Sequence, residues 1–412
     1  ARAFVVGLRH SAIGGIAAAA LMFGASIAAG RTLGAAEYGQ AIFVITVAQM
    51  FSVFAPLGFD VAMSRRLPRV ESERIAEVVT TAVIVIAIST TVLALVAVSA
   101  VALVSMSVQH LQSTLVLAGI ALGVALAARV SADRALSGMQ LFRRQARMRP
   151  VEGVVVLLVL SLILIEGDRG WEAYCVALIV GASVVAARMW WSLREWISSR
   201  CWRASEASEL RSYGFVTMLH AASPIGFVYA DKFLVGRWLG SDALGVYGAY
   251  YAAGFLVVAQ LLAIISNVLF PATAAVDDRR HLTRRLNKAC AGAFFPAVFA
   301  LTLVVRMIVG LFGDEFQPSW LTSVIAGTWG ALLLVNGLLT TNAITHSRRA
   351  YAWVAGFQAF RSLFYVGAMI SFHLTGLLSL NTAMLSLVMI ELLDSLNLRT
   401  INRRIVSRSE AS

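Results

Sequence analysis

The chain is poor in charge, cysteine and lysine. Of its 412 residues 14% are charged and three are cysteine. A soluble domain carries about 25% charged residues, so an ordinary water-facing globule is excluded. Cys175, Cys201 and Cys290 are scattered without CxxC spacing, which excludes a disulfide framework and a zinc site. Lysine occurs only at Lys232 and Lys288, and neither follows a glycine. With no G-x-x-x-x-G-K-[ST] the chain has no Walker A site and no ATP motor of its own. No cofactor and no metal are expected, and the histidines, including His110 and His373, are singly placed. Large loops on one face are also missing. The segments "RTLGAAEYG", "SMSVQHLQS", "EGDRGWEAY", "WLGSDALGVYG", "FGDEFQPSW" and "TGLLSLN" are at most about a dozen residues long. They leave little room for the catalytic loop of a membrane glycosyltransferase or polymerase, so a non-enzymatic role is expected.

Apolar runs take the place of polar loops. The chain is 59% hydrophobic with mean hydropathy +0.79, and blocks such as "VVTTAVIVIAISTTVLALVAVSAVALV" begin at Val78. A run of about 18 or more apolar residues reads as a membrane-spanning helix. Twelve spans are expected, near 11–30, 38–62, 76–104, 113–133, 149–166, 171–193, 212–236, 246–271, 288–311, 319–343, 351–373 and 378–398. The first follows Arg2 and Arg9 like a signal peptide, but its length favours a retained span. The net charge of +12 would suggest nucleic acid in a soluble protein. Here it sorts by side: 26 basic residues fall in one alternating set of loops and three (Arg31, Arg169, Arg237) in the other. That bias places both termini in the cytoplasm; no nucleic-acid partner is expected.

One motif occurs twice. "GRTLGAAEYG" starts at Gly30 and "GRWLGSDALG" at Gly236, an offset of 206, half the chain. Each follows the first span of a six-span half, and each leads into a span with a proline near its inner end (Pro56, Pro271) and a basic inner loop. Two parallel six-helix repeats follow, residues 1–200 and 201–412, joined by the polar stretch Arg194–Gly214. The glycines suit a tight turn between antiparallel helices; they equally suit a gate hinge. Pro224 and Pro296 interrupt spans seven and nine, and freed carbonyls there need a cavity or a neighbour.

Ionisable residues at membrane depth are costly unless they face water or a partner. Arg361 lies about ten residues from either end of span eleven, about 15 Å deep at 1.5 Å per residue. It reads either as a cationic cavity wall or as a buried pair with Glu391 or Asp394. Lys232 and Arg306 lie about 7 Å below the outer face, where they either snorkel outward or support an anion site. Arg31 and Arg237 add positive charge at the two decapeptides. Asp60, Asp231, Glu391 and Asp394 read as structural partners of basic residues or as sites coupling transport to a proton or sodium ion. Asp231 neighbours Lys232 but points about 100° away around the helix.

"GRTLGAAEYGQAIFVITVAQMFSVFAPLGFDVAMSRRLPR" and "YADKFLVGRWLGSDALGVYGAYYAAGFLV" resemble blocks of the polysaccharide-biosynthesis membrane proteins of the multidrug/oligosaccharidyl-lipid/polysaccharide (MOP) exporter superfamily. The matching positions are Leu33, Gly34, Tyr38, Gly39, Asp60 and Arg65, then Asp231, Leu234, Gly236, Gly240, Gly245 and Tyr247. The resemblance implies an all-α fold, a V-shaped pair of six-helix lobes around a central cavity. It implies a flippase in the bacterial inner membrane, carrying an undecaprenyl-pyrophosphate-type lipid-linked oligosaccharide to the outer leaflet by alternating access. It also implies a monomer working beside a polysaccharide polymerase and other assembly proteins. Arg361, Arg306, Lys232, Arg31 and Arg237 are the expected phosphate contacts. The rival is a multidrug/cation antiporter of the same superfamily, which calls for deep acids rather than deep arginines.

Overall fold

A computed structural model describes residues 2–107, 113–167, 170–198, 201–222, 228–259, 261–262, 265, 279–346 and 348–408. His110, Arg169, Pro224 and Pro271 lie outside the described residues. The described chain forms thirteen α-helices and no strand. It divides into two compact units, residues 1–33 with 40–222, and residues 34–39 with 223–412.

The first unit holds α1 (Arg2–Phe54), α2 (Phe59–Arg66), α3 (Ile75–Ser107), α4 (Ser113–Gly138), α5 (Phe142–Ile165), α6 (Trp171–Ser192) and α7 (Ala204–Ala222). Gly34 breaks α1 with φ 80 and ψ 173, a backbone conformation open to glycine and strained for other residues. The apolar stretch Ile13–Phe54 is 42 residues long, about 63 Å as straight helix and twice the hydrocarbon core of about 30 Å. The break lets one element serve as the first two expected spans. Phe59, Met63, Leu67, Val78, Leu136, Met189 and Leu210 share one apolar core, so α2, α3, α4, α6 and α7 pack as a body. Ion pairs hold α7 in place: Arg66 to Glu209 at 2.9 Å, Arg203 to Glu77 at 3.1 Å, and Arg74 to Glu206. Compactness therefore carries the first unit to Ala222.

The second unit holds α8 (Ala230–Leu239), α9 (Ser241–Tyr251) running on into a π-helical turn (Ala252–Leu256), α10 (Arg279–Leu311), α11 (Trp320–His346), α12 (Arg348–Leu374) and α13 (Leu380–Arg408). Helix α11 is its centre, packing on α10, α12 and α13. Pro296 lies inside α10 without ending it. The short segment 34–39 belongs here too, and it explains the duplicated motif. A Cβ on Gly39 would lie 1.9 Å from Ser241 O, and a Cβ on Gly245 would lie 2.0 Å from Ala35 O. Ala35 and Ser241, like Gly39 and Gly245, are equivalent residues of the two copies. The decapeptides thus touch reciprocally, backbone to backbone, at a separation only glycine permits. Around this contact Tyr38 packs edge-on against Phe312 and Phe316. Glu315 Oε2 accepts the Ala35 N–H at 2.8 Å and so caps the helix that restarts after the Gly34 break.

Among the described residues eight helical stretches are long and apolar enough to cross a membrane, and the chain is a multi-pass membrane protein. Helices α12 and α13 have the length, 27 and 29 residues, but fall below that hydropathy. Arg361, Glu391, Asp394 and their polar neighbours are what lower it, and these residues form the site.

Candidate functional site

Five helices of the second unit bring together a chain of buried polar side chains. Arg361 projects from α12 toward α13. Its Nη1 donates to Asp394 Oδ2 at 2.5 Å and its Nη2 donates to Glu391 Oε1. Glu391 and Asp394 are three apart on α13, the spacing that puts two side chains on one helix face. Helix α11 closes the other side. Asn336 Nδ2 donates to Glu391 Oε2 at 2.6 Å and to Glu391 O at 2.8 Å. Ser395 Oγ donates to Asn336 Oδ1 at 2.6 Å. Arg361, Glu391 and Asp394 are only 3%, 2% and 6% exposed.

Arg361 thus sits in the buried pair, one of the two readings the sequence left open, and both carboxylates join it. The physical reason is local: in a low-dielectric interior a guanidinium is held by the nearest carboxylates, and α13 supplies two.

A second cluster lies on α8 and α9. Lys232 Nζ donates to both oxygens of Asp231 at 3.2 Å and to Val228 O at 2.7 Å. It also stands 3.5 Å from the centre of the Tyr251 ring. Tyr247 Oη donates to Asp231 Oδ2 at 2.7 Å. Lys232 is buried and does not snorkel outward. Its four-carbon stem is flexible enough to curl back to the adjacent aspartate despite the angle between their Cβ atoms. Tyr365, one helical turn from Arg361 on α12, is fully buried within electrostatic reach of Asp231 and Tyr247.

The other expected residues lie elsewhere. Arg306 meets the connection between α10 and α11: its Nη1 donates to Pro318 O and its guanidinium sits 4.2 Å over the Trp320 ring. Arg31 and Arg237 are exposed. Asp60 is buried in the first turn of α2 in the first unit, near Arg134. Asn336, Ser395 and Tyr365 were missed; a polar residue in span ten and the i, i+4 spacing of Arg361 and Tyr365 were the available signals. Also missed were two ion pairs of the first unit, Arg129 to Glu152 at 3.0 Å and Arg149 to Asp133 at 2.7 Å, joining α4 to α5. No cluster of three or more His, Cys, Asp or Glu suited to a metal occurs among the described residues.

The family model described as polysaccharide biosynthesis protein matches residues 29–325. The chain belongs to this family. Three solved structures share its all-helical fold. A multidrug-resistance MATE transporter of the MOP superfamily, inward-facing, matches at TM-score 0.73 and 14% identity over 95% of either chain. The lipid II flippase MurJ, inward closed, matches at TM-score 0.73 and 13% identity over 97% of this chain and 90% of its own. A MOP-superfamily transporter from Pyrococcus furiosus matches at TM-score 0.62 and 16% identity over 98% and 95%. No curated protein sequence matches significantly. The polysaccharide-biosynthesis chain thus has the all-helical MOP-superfamily fold.

Proposed function

We propose that the chain is a flippase. It moves an undecaprenyl-pyrophosphate-type lipid-linked oligosaccharide from the inner to the outer leaflet by alternating access, for cell-surface polysaccharide synthesis. The observation that carries this reading is the polysaccharide-biosynthesis match over residues 29–325 on a fold shared with transporters of lipid-linked and small-molecule cargo.

Charge distribution supports an anionic cargo over a cationic drug. The acids buried among the described residues are Asp60, Glu152, Glu206, Asp231, Glu391 and Asp394. Each lies beside a basic side chain: Arg134, Arg129, Arg74, Lys232 and, for the last two, Arg361. A cation antiporter needs a buried carboxylate free for its cargo, whereas each of these has a cation beside it, Glu391 and Asp394 sharing one. Arg31, Arg237 and Arg306 are the proposed headgroup contacts, since pyrophosphate takes charge-assisted hydrogen bonds from arginine. Arg361 and Lys232 are assigned first to their buried pairs. The membrane potential favours outward movement of a negative headgroup by about 2.3 kcal/mol per charge per 100 mV.

The proposal includes two six-helix lobes, residues 1–200 and 201–412, in the bacterial inner membrane with both termini in the cytoplasm, working beside a polysaccharide polymerase. Deleting the gene tests it. Lipid-linked oligosaccharide accumulating on the inner leaflet, and its clearance on re-expression, supports the reading; unchanged distribution with raised sensitivity to cationic drugs refutes it.

A further inference from the structure

One side of α10 changes character along its length. Phe295, Phe299 and Leu303 are 77%, 69% and 43% exposed, and their spacing of four keeps them on one face of the helix. Cys290 and Leu301, turned the other way, are buried in the cores of the second unit. In a multi-pass membrane protein an aromatic face this exposed meets acyl chains. The same face continues toward Arg279 as Gly292, Lys288, Arg285 and Arg284, all exposed. No acid occurs within α10, and no ion pair of the described residues involves these three cations. Asp277 and Asp278 precede the helix and lie outside the described residues. Arg284 and Lys288 are like charges four apart, an arrangement that destabilises a helix unless something neutralises it. A Cβ on Gly292 would meet nothing within 4 Å, so the face is open between the cations and the phenylalanines. Length sets the level. Helix α10 has 33 residues, about 50 Å as straight helix, and the hydrocarbon core takes about 30 Å of it. The remaining length, about 20 Å, is the basic end, at the height of phosphate groups. Helix α5 repeats the pattern in the first unit: exposed Arg143, Arg144 and Arg147 share a face with exposed Val154, Leu158 and Leu162.

We propose that α10 and α5 each seat an anionic phospholipid. Its phosphate lies against the three cations, taking charge-assisted hydrogen bonds from them, and an acyl chain follows the exposed apolar face beyond. Juxtamembrane cations attract anionic headgroups, each contributing about fivefold in affinity. The continuous face selects a lipid over other anions. A soluble polyphosphate or an acidic protein would use the cations and leave Phe295 and Phe299 uncovered, whereas a phospholipid covers both parts. Because the face is exposed along its whole length, the bulk lipid of the bilayer has access to it. The leaflet is the cytoplasmic one under the orientation proposed above. The seats need only the membrane placement of the chain and do not depend on its cargo.

The purified chain in neutral detergent is titrated with phosphatidylglycerol or with phosphatidylcholine, and native mass spectrometry counts the lipids retained. Wild type should hold phosphatidylglycerol and little phosphatidylcholine. Removing three cations together, as Arg284→Gln, Arg285→Gln and Lys288→Gln, should weaken one phosphatidylglycerol site on the order of 100-fold. Arg143→Gln, Arg144→Gln and Arg147→Gln together should weaken the other. Phe295→Ala with Phe299→Ala removes no charge and should still weaken the α10 site. Unchanged binding by that pair would assign the cations to a water-soluble anion and overturn the lipid seat. Equal retention of the two lipids by wild type, a comparison that needs no variant, overturns the proposal, as do charge variants that bind like wild type. Displacement of phosphatidylglycerol by equimolar undecaprenyl phosphate would give the face to the carrier lipid and overturns it too. Failure of the flippase reading would leave these results untouched.

Discussion

Substituting Gly39 or Gly245 by alanine probes the contact between the two decapeptides. The added Cβ would meet Ser241 O at 1.9 Å or Ala35 O at 2.0 Å, where real Cβ atoms keep at least 3.0 Å. The helices would have to part by about 1 Å. Neither obstacle is a flexible side-chain tip; both are backbone carbonyls within helical turns, so they yield poorly. Overpacking of this kind costs about 1–3 kcal/mol, read as a lower thermal midpoint in detergent micelles. The double variant is the sharper test. Once one Cβ has opened the gap, the second meets little new resistance, so the pair should cost less than the two single variants added. A coupling of about 0.5–3 kcal/mol is typical for residues in contact. Gly24→Ala and Gly292→Ala are controls, since a Cβ there meets nothing within 4 Å and helical Gly→Ala gains about 0.5–1 kcal/mol. Neutral single variants at Gly39 and Gly245, or strictly additive ones, would refute the reciprocal contact.

Three further outcomes follow, two from the buried pairs and one from the helix cap. Lys232→Met should destabilise the protein by about 3–5 kcal/mol, because it strands Asp231, and adding Asp231→Asn should recover most of that loss in the same melting assay. Arg361→Met should cost at least as much, whereas Arg361→Met combined with Glu391→Gln and Asp394→Asn should fall closer to wild type; a triple variant as poor as the single one would contradict the pairing. Glu315→Gln, which keeps the shape but weakens the cap on Ala35, should lower stability by about 0.5–1 kcal/mol; an increase would show that the carboxylate is not the cap.

Much of this architecture was legible because membrane crossing is a one-dimensional signal. Apolar length and arginine sidedness mark spans without reference to neighbours, and Gly34 announced a break where a turn was needed. The partners of polar residues were harder to read. Arg361 stood out by depth, but nothing along the chain decides between a wet cavity and Glu391 with Asp394. That choice depends on which face of α12 meets α13, and helices apolar on every side hide their facing from periodicity. Lys232 misled for a related reason: the angle between Cβ atoms says little about where a long, flexible side chain ends. The decapeptides showed their kinship in sequence, while the reciprocal contact of Gly39 with Gly245 exists only in three dimensions.

The central claim is tested most directly by reconstituting the purified protein in vesicles with two cargoes, a fluorescent undecaprenyl-pyrophosphate oligosaccharide and a fluorescent cationic drug. Protein-dependent leaflet exchange of the lipid-linked sugar, with no movement of the drug, is the predicted result. Movement of the drug with the lipid-linked sugar left in its original leaflet would contradict the account.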